Sequence, residues 1–167
     1  MSQSITVSGN RSFRFKFNWR SLSHSILGLI CPFPFPGTGV IALLPDNKLV
    51  LIRRRDTRLW ALPGGMMKWG ESVEETASRE LTEETGLEVI KVKGLAGVYS
   101  TRDRDPRFHS ICTVVVAKVR GEIKIKDKLE IIEAKAFDLD DLPPAEELSF
   151  DNAQHIQNYL AGSIMLG

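Results

Sequence analysis

The sequence predicts an α/β sandwich, a sheet covered by helices on both faces, and three observations carry that expectation. Apolar runs of strand length, rich in β-branched residues, recur between residues 39 and 137 with turn signals between them. Residues 73–85 and 151–160 instead carry helix signals, one within the strand series and one after it. A chain of 167 residues, 43% of them hydrophobic, can bury a proper core as a single catalytic-size domain without help from disulfides or metals. Strands interrupted and then closed by helices pack as layers around such a core.

From the N-terminus, Phe13, Phe15, Phe17 and Trp19 alternate with Arg14, Lys16 and Asn18, the period-two pattern of a half-buried strand. The same stretch is serine-rich, basic and free of acid, which is also the composition of an organelle transit peptide. The strand is the preferred reading, with residues 1–36 an extension that packs on the domain or on a second subunit of a homodimer. Residues 26–31 are apolar but too few to span a bilayer, and Pro32 stops them. Pro32, Pro34 and Pro36 then form an extended connector into a domain at residues 37–167. Residues 39–44 and 49–53 read as a hairpin about the turn Pro45-Asp46-Asn47. Residues 60–63 lead into a helix that starts at about Val73, because Ser72 and Glu75 form a capping box, and Gly86 is placed to end it in a left-handed turn. Residues 91–99 and 110–119 are further strands, the second buried around the β-branched run 113–116, and residues 133–137 are a short one. A closing helix runs from an N-cap near Asp151 to Leu160, with Ile156 and Leu160 at i,i+4.

The chemistry is concentrated in residues 65–87, GMMKWGESVEETASRELTEETGL. On a helix advancing about 100° per residue, Glu80, Glu83 and Glu84 fall within roughly 100° of one another beside Arg79. Like charges so crowded raise one another's pKa and weaken the helix. Hard divalent ions such as Mg²⁺, which take oxygen ligands and leave positions open for phosphate, are the natural compensation. The glycines that precede the helix, Gly64 and Gly65, allow backbone atoms to approach a metal or phosphate closely.

This segment resembles the signature of the Nudix hydrolases, G-x5-E-x7-R-E-U-x-E-E-x-G-U with U a bulky aliphatic residue, and meets every specified position. Seven single-residue requirements at fixed spacing arise by chance on the order of once per billion start positions. The competing reading is a surface helix laced with ion pairs from Glu75 to Arg79 and Arg79 to Glu83. The resemblance covers about residues 37–160 and implies a Nudix-type αβα sandwich with a mixed sheet, Mg²⁺ or Mn²⁺ as cofactor, and hydrolysis of a nucleoside diphosphate linked to another moiety. It implies that Glu80 and Glu84 are the principal metal ligands, that Glu83 assists directly or through a water, and that the carbonyl of Gly64 also binds metal. Glu71 and Arg79 are then structural members of the catalytic group, Arg79 holding the loop and helix carboxylates in register. A carboxylate must also take the proton of the attacking water, and Glu83, Glu130 and Glu133 stay open for that role, with Glu83 preferred.

Substrate choice rests on other loops, above all YSTRDRDPRFHS at residues 99–110. There Arg102, Arg104 and Arg107 alternate with Asp103 and Asp105, and guanidinium forks suit a pyrophosphate bridge or its terminal ribose. Tyr99 and Trp60 are candidates to stack on a base, with core packing at least as good an account of each. His109 reads as a structural hydrogen-bonding residue. The pattern Ser100, Arg104, Asp105, Pro106, Arg107, His109 resembles a loop of ADP-ribose pyrophosphatases within the family, and LSFDNAQHI at 148–156 is similar to the LxFDH segment that accompanies it, with Asn152 in place of the His. The resemblance therefore implies ADP-ribose as substrate, cleaved to AMP and ribose 5-phosphate, with a pool-sanitising triphosphate pyrophosphatase and a non-catalytic nucleotide-sugar sensor as alternatives.

Composition narrows the partners. A formal net charge of +1 gives no global reason to expect nucleic acid. The charge is nevertheless uneven, with Arg11, Arg14, Lys16 and Arg20 in an acid-free N-terminus and acids dominant beyond residue 120. Cys31 and Cys112 are isolated, so ordinary reduced thiols and a cytoplasmic protein are expected. The expected partner is a nucleotide-type small molecule, with no membrane involved.

Overall fold

A computed structural model describes residues 33–166, so the expected strand around residues 13–19 and the apolar stretch 26–31 lie outside the described residues. Strands β1 (Phe35–Leu43) and β2 (Leu49–Arg54) form the expected hairpin. Its turn closes through the Leu44 N–H donating to the Lys48 carbonyl at 3.0 Å, with Asn47 in the left-handed region at φ 63°. Strand β1 begins at Phe35, so the connector runs straight into the sheet. The Phe35 N–H donates to the His109 carbonyl, which turns the Pro36 nitrogen away from that neighbour, where its missing N–H breaks no bond of that ladder.

Two very short strands, β3 (Trp60–Ala61) and β4 (Gly64–Met66), occupy the stretch that the sequence shows only as a lead into the helix. Helix α1 spans Val73–Thr85 with both halves of the Ser72/Glu75 capping box formed, and Gly86 closes it at φ 77°. Strands β5 (Glu88–Tyr99), β6 (Ser110–Arg120) and β7 (Ile131–Phe137) follow, then helix α2 (Asn152–Leu160) and a terminal strand β8 (Met165–Leu166) that the sequence does not announce.

The sheet is mixed, in the order β3-β2-β1-β6-β5-β8, with β4 added to β1 and β7 to β2. At its centre β1 runs parallel to β6 from Phe35↔Ser110 to Leu43↔Lys118. Side chains alternate across it as a strand demands. Val40 and Ala42 point to the α1 face, against Ala77, Leu81, Leu87 and Val115, whereas Ile41 points to the α2 face, against Leu51, Trp60, Val114 and Ile156. Helices on both faces make the αβα sandwich. Ile156 is buried on α2 as the i,i+4 stripe requires, but Leu160 is 48% exposed, because the helix ends at that residue before its last turn meets the sheet. Among the described residues no helix is long and apolar enough to cross a membrane.

Where β2 pairs with β1 only at its far end, β4 takes the vacated edge, matching Gly64 to Gly39 and Gly65 to Thr38. That exchange brings the residues preceding α1 beside the helix carboxylates.

Candidate active site

Arg79 is the hub of the helix cluster. Its Nε and Nη2 donate to Glu71 Oε1 and Oε2 at 2.6 and 2.8 Å, its Nη1 to Glu80 at 2.6 Å and to Glu83 at 3.4 Å, and Nη2 also to the Met66 carbonyl at 3.1 Å. Glu71 further accepts from the Lys68 N–H at 2.9 Å and the Thr76 hydroxyl at 3.0 Å. Held first by Arg79 and then by these donors, its carboxyl drops to a pKa of about 2. Glu71 and Arg79 therefore form a rigid brace between loop and helix.

The other carboxylates are under opposite stress. Burial pushes the Glu84 carboxyl well above the usual range, against the pull of the Gly64 N–H that donates to it at 2.8 Å. Burial likewise raises Glu80, against Arg79. Glu83 is half exposed, with Lys68 Nζ 3.9 Å away. A Cβ on Gly64 would run into the Thr38 carbonyl, so that position accepts no side chain, and one on Gly65 would lie 2.5 Å from Glu80 Oε1 and displace that carboxylate. Gly64 also sits at φ 156°.

The donor set suits a hard divalent cation: three carboxylates gather at one helix face, and desolvation raises the pKa of Glu84, which is buried, and of Glu80, which is partly buried beside Arg79. A buried hydroxyl adds to this. Thr38 Oγ1 makes no hydrogen bond, and because Thr38 pairs with Gly65 its side chain shares the face that carries Glu80. Among the described residues no three such side chains already converge on one point, since Arg79 holds Glu80 and Glu83 while the Gly64 N–H holds Glu84.

Glu80, Glu83, Thr38 and Gly64 open into a cleft of about 440 Å³, with Glu84 buried behind them, and the cleft continues past Gly37 and Gly39 to Phe35, Phe108, Phe150 and Asp151. The loop arginines are placed differently from one another. Arg102 is exposed and lies outside the cleft lining. Arg104 lines the cleft but is committed: it donates to Asp151 at 2.7 Å and to the Ser110 hydroxyl at 2.5 Å, with side chains only 11% and 14% exposed across the Arg104–Asp151 bridge. Burial works against the Asp151 carboxylate, yet His155 and Arg104 hold it below the usual range. His155 Nε2 lies 2.9 Å from Asp151 Oδ2, out of line for a hydrogen bond. Arg107 lines the cleft and is paired with Asp105.

Two expectations are corrected here. Tyr99 is 4% exposed and does not line the cleft, since its ring packs at a tilt on His155, with centroids 3.9 Å apart, and its hydroxyl accepts from Asn158 at 3.1 Å. Arg102 does not line that cleft and points its charge to solvent. Trp60 is a core residue, edge-on to Phe137 at 5.0 Å, and His109 bonds the Ser100 carbonyl at 2.9 Å in a structural role. Of the alternative bases, Glu130 lines the cleft, whereas Glu133 pairs with Arg53 at 3.5 Å outside it.

The family model of the NUDIX domain matches residues 34–159. This chain belongs to the NUDIX family. Its site is therefore that of a Nudix hydrolase, with α1 as the Nudix helix. The ADP-ribose pyrophosphatase of Methanocaldococcus jannaschii is 47% identical over 119 residues, 69% of this chain and 67% of that protein. A MutT NUDIX hydrolase from Burkholderia pseudomallei matches with TM-score 0.66 and 28% identity, over 75% of this chain and 98% of its own. The NUDIX domain of Shewanella oneidensis NrtR, solved with ADP ribose, matches with TM-score 0.68 over 80% of this chain and 91% of its own, and at 23% identity bears on the fold alone.

Several cleft residues of this Nudix domain escape sequence reasoning. Arg54 and Asp56 sit in the run RRRDTR, which carries no motif, yet both line the cleft and pair at 2.7 Å. Asn152, where the family segment carries His, accepts from the Leu62 N–H at 2.8 Å and donates to the Ser149 carbonyl at 2.7 Å, so it fastens the start of α2 to the segment between β3 and β4.

Proposed function

We propose that this Nudix hydrolase cleaves the diphosphate of ADP-ribose to AMP and ribose 5-phosphate. The complete carboxylate cluster opening into a nucleotide-sized cleft carries the reaction class, and the relative at 47% identity supports the substrate. Glu80, Glu84 and the Gly64 carbonyl would hold Mg²⁺ or Mn²⁺, with Glu83 assisting. When bound, the ion supplies charge neutralisation for the diphosphate and a lowered pKa for water. Arg79 keeps Glu80 aimed through the Glu71 brace. Glu83, half exposed at the cleft, takes the proton as the water oxygen bonds to phosphorus and the bridging P–O bond breaks, and Glu130, which also lines the cleft, is its alternate. Arg104 and Arg107 contribute to the substrate wall, Arg104 chiefly by fixing its loop.

A substrate panel with Mg²⁺ and with Mn²⁺ tests this reading. ADP-ribose is expected to exceed NADH, diadenosine polyphosphates and oxidised nucleoside triphosphates in kcat/KM, and turnover confined to the triphosphates would move the assignment to pool sanitising. Binding of ADP-ribose without turnover would make the chain a sensor.

Thr38 gives a separate check on the ion. Thr38→Val keeps the shape and removes the unpartnered hydroxyl, so the metal-free protein should be more stable by about 1–3 kcal/mol. Mn²⁺ affinity should fall. A melting temperature and an isotherm both unchanged would leave the hydroxyl with no role.

A cytoplasmic location belongs to the same reading, supported by the free thiol of Cys112, which burial pushes up to about 11. So does a homodimer that uses the aromatic pattern of residues 13–19. Deleting residues 1–31 is expected to lower the melting temperature or the mass read by light scattering, and neither would change for a removable targeting peptide.

A further inference from the structure

Besides the carboxylates, the cleft is lined by a cluster around Arg107 whose character differs from the arginine count of its loop. Arg107 donates from Nε and Nη2 to the two oxygens of Asp105 at 2.9 and 2.7 Å, and its Nη1 lies 3.5 Å from Asp56. Asp56 in turn holds Arg54 through paired bonds of 2.9 and 2.7 Å. Two guanidinium groups and two carboxylates cancel, so a phosphate brought here meets acid as well as base.

What the cluster offers is a run of planar groups along the cleft, with Arg54 also lying 5.7 Å from the Phe150 ring centroid. The Arg107 guanidinium lies 4.4 Å from the Phe150 ring centroid and 5.3 Å from that of Phe108, and Phe108 packs edge-on to Phe35 at 5.6 Å. All four line the cleft. Phe150 is held there against its own backbone preference, at φ 54°, a region that bulky side chains avoid. The strain is maintained from both sides. The Ser149 N–H and hydroxyl donate to the Trp60 carbonyl at 2.8 and 3.1 Å, and the Asn152 amide donates to the Ser149 carbonyl at 2.7 Å.

We infer that Phe150, Arg107 and Phe108 form the stacking face for the planar base of a nucleotide, with Arg107 acting as a flat surface and not as a phosphate ligand. A guanidinium whose charge is already offset keeps its delocalised plane and weak hydration, the properties that let it stack. The inference rests on the nucleotide-hydrolase reading and adds the substrate's orientation: diphosphate at the Nudix helix, base against this wall.

The test is calorimetric titration of AMP, GMP, UMP and ribose 5-phosphate, without metal, into wild type, Phe150→Gly and Arg107→Lys. Glycine removes the ring and accepts the positive φ, so relief of backbone strain offsets part of the packing lost with the ring, and each variant is compared at a temperature where its melting curve shows it folded. Wild type is expected to prefer at least one nucleoside monophosphate to ribose 5-phosphate, and each variant to lose about tenfold for that nucleotide and under about twofold for ribose 5-phosphate, as base stacking predicts. Arg107→Lys keeping nucleotide affinity, or the variants losing equally for both ligands, would overturn the stacking face, as would a wild type without nucleotide preference. ADP-ribose turnover by the same wild-type sample is read separately. Selective binding of a nucleotide without that turnover sinks the substrate assignment and leaves the stacking face standing.

Discussion

A Glu84→Gln variant is expected to fold, to melt above wild type when no divalent ion is present, and to turn over at least ~10²-fold more slowly. The two effects have one cause. Glu84 is almost fully buried and its charge is opposed by burial, so removing that charge relieves the metal-free fold, while glutamine retains an acceptor for the Gly64 N–H. The same charge is what a divalent ion would use. Added Mg²⁺ or Mn²⁺ should therefore raise the wild-type melting temperature much more than that of the variant. Glu80→Gln should match the kinetic loss without the gain in stability, because Arg79 loses a 2.6 Å carboxylate partner. Near wild-type turnover in either variant, with metal shown to be bound, would falsify the ligand assignment.

Arg104→Ala should instead act on the fold. The Arg104–Asp151 bridge is mostly buried, and removing one partner leaves a carboxylate in the interior beside His155, a loss of about 3–5 kcal/mol. For a chain of this length that corresponds to a fall in melting temperature on the order of 10 °C. Arg104→Lys should recover part of the stability and little of the geometry, since lysine cannot reproduce the fork to Asp151 and Ser110. A variant with unchanged melting temperature and a raised KM would show instead that Arg104 contacts phosphate directly.

The Nudix helix was fully legible in the sequence because everything that defines it is local. The capping box spans four residues, the Gly86 stop follows the last turn, and Glu80, Glu83 and Glu84 reach one face through helical spacing alone. The loop at residues 99–110 was legible as a functional element but not in its roles. Arg104 finds its carboxylate 47 residues away, and Tyr99 its amide partner 59 residues away, so neither commitment leaves a local trace. Phe150 stood in a segment singled out for its family pattern, yet a positive φ on an aromatic is not written in residue type. Strands β4 and β8, three and two residues long, are too short for periodicity to register and exist only because a neighbouring edge is there to pair with.

The parallel pairing of β1 with β6 sets an order of events during synthesis. The hairpin and the Nudix helix can begin to form as soon as they leave the ribosome, because their contacts are close in sequence. Residues 35–43 must wait for residues 110–118 before the centre of the sheet exists. Until then the apolar faces of Val40 and Ile41 lack Val114 and Val115, and the nascent chain exposes an unpaired strand edge of the kind that chaperones bind and that aggregates when crowded. Closure of that one long crossover is therefore the step expected to be slow and association-prone in making this enzyme, and until it occurs the carboxylates on their helix have no cleft to serve.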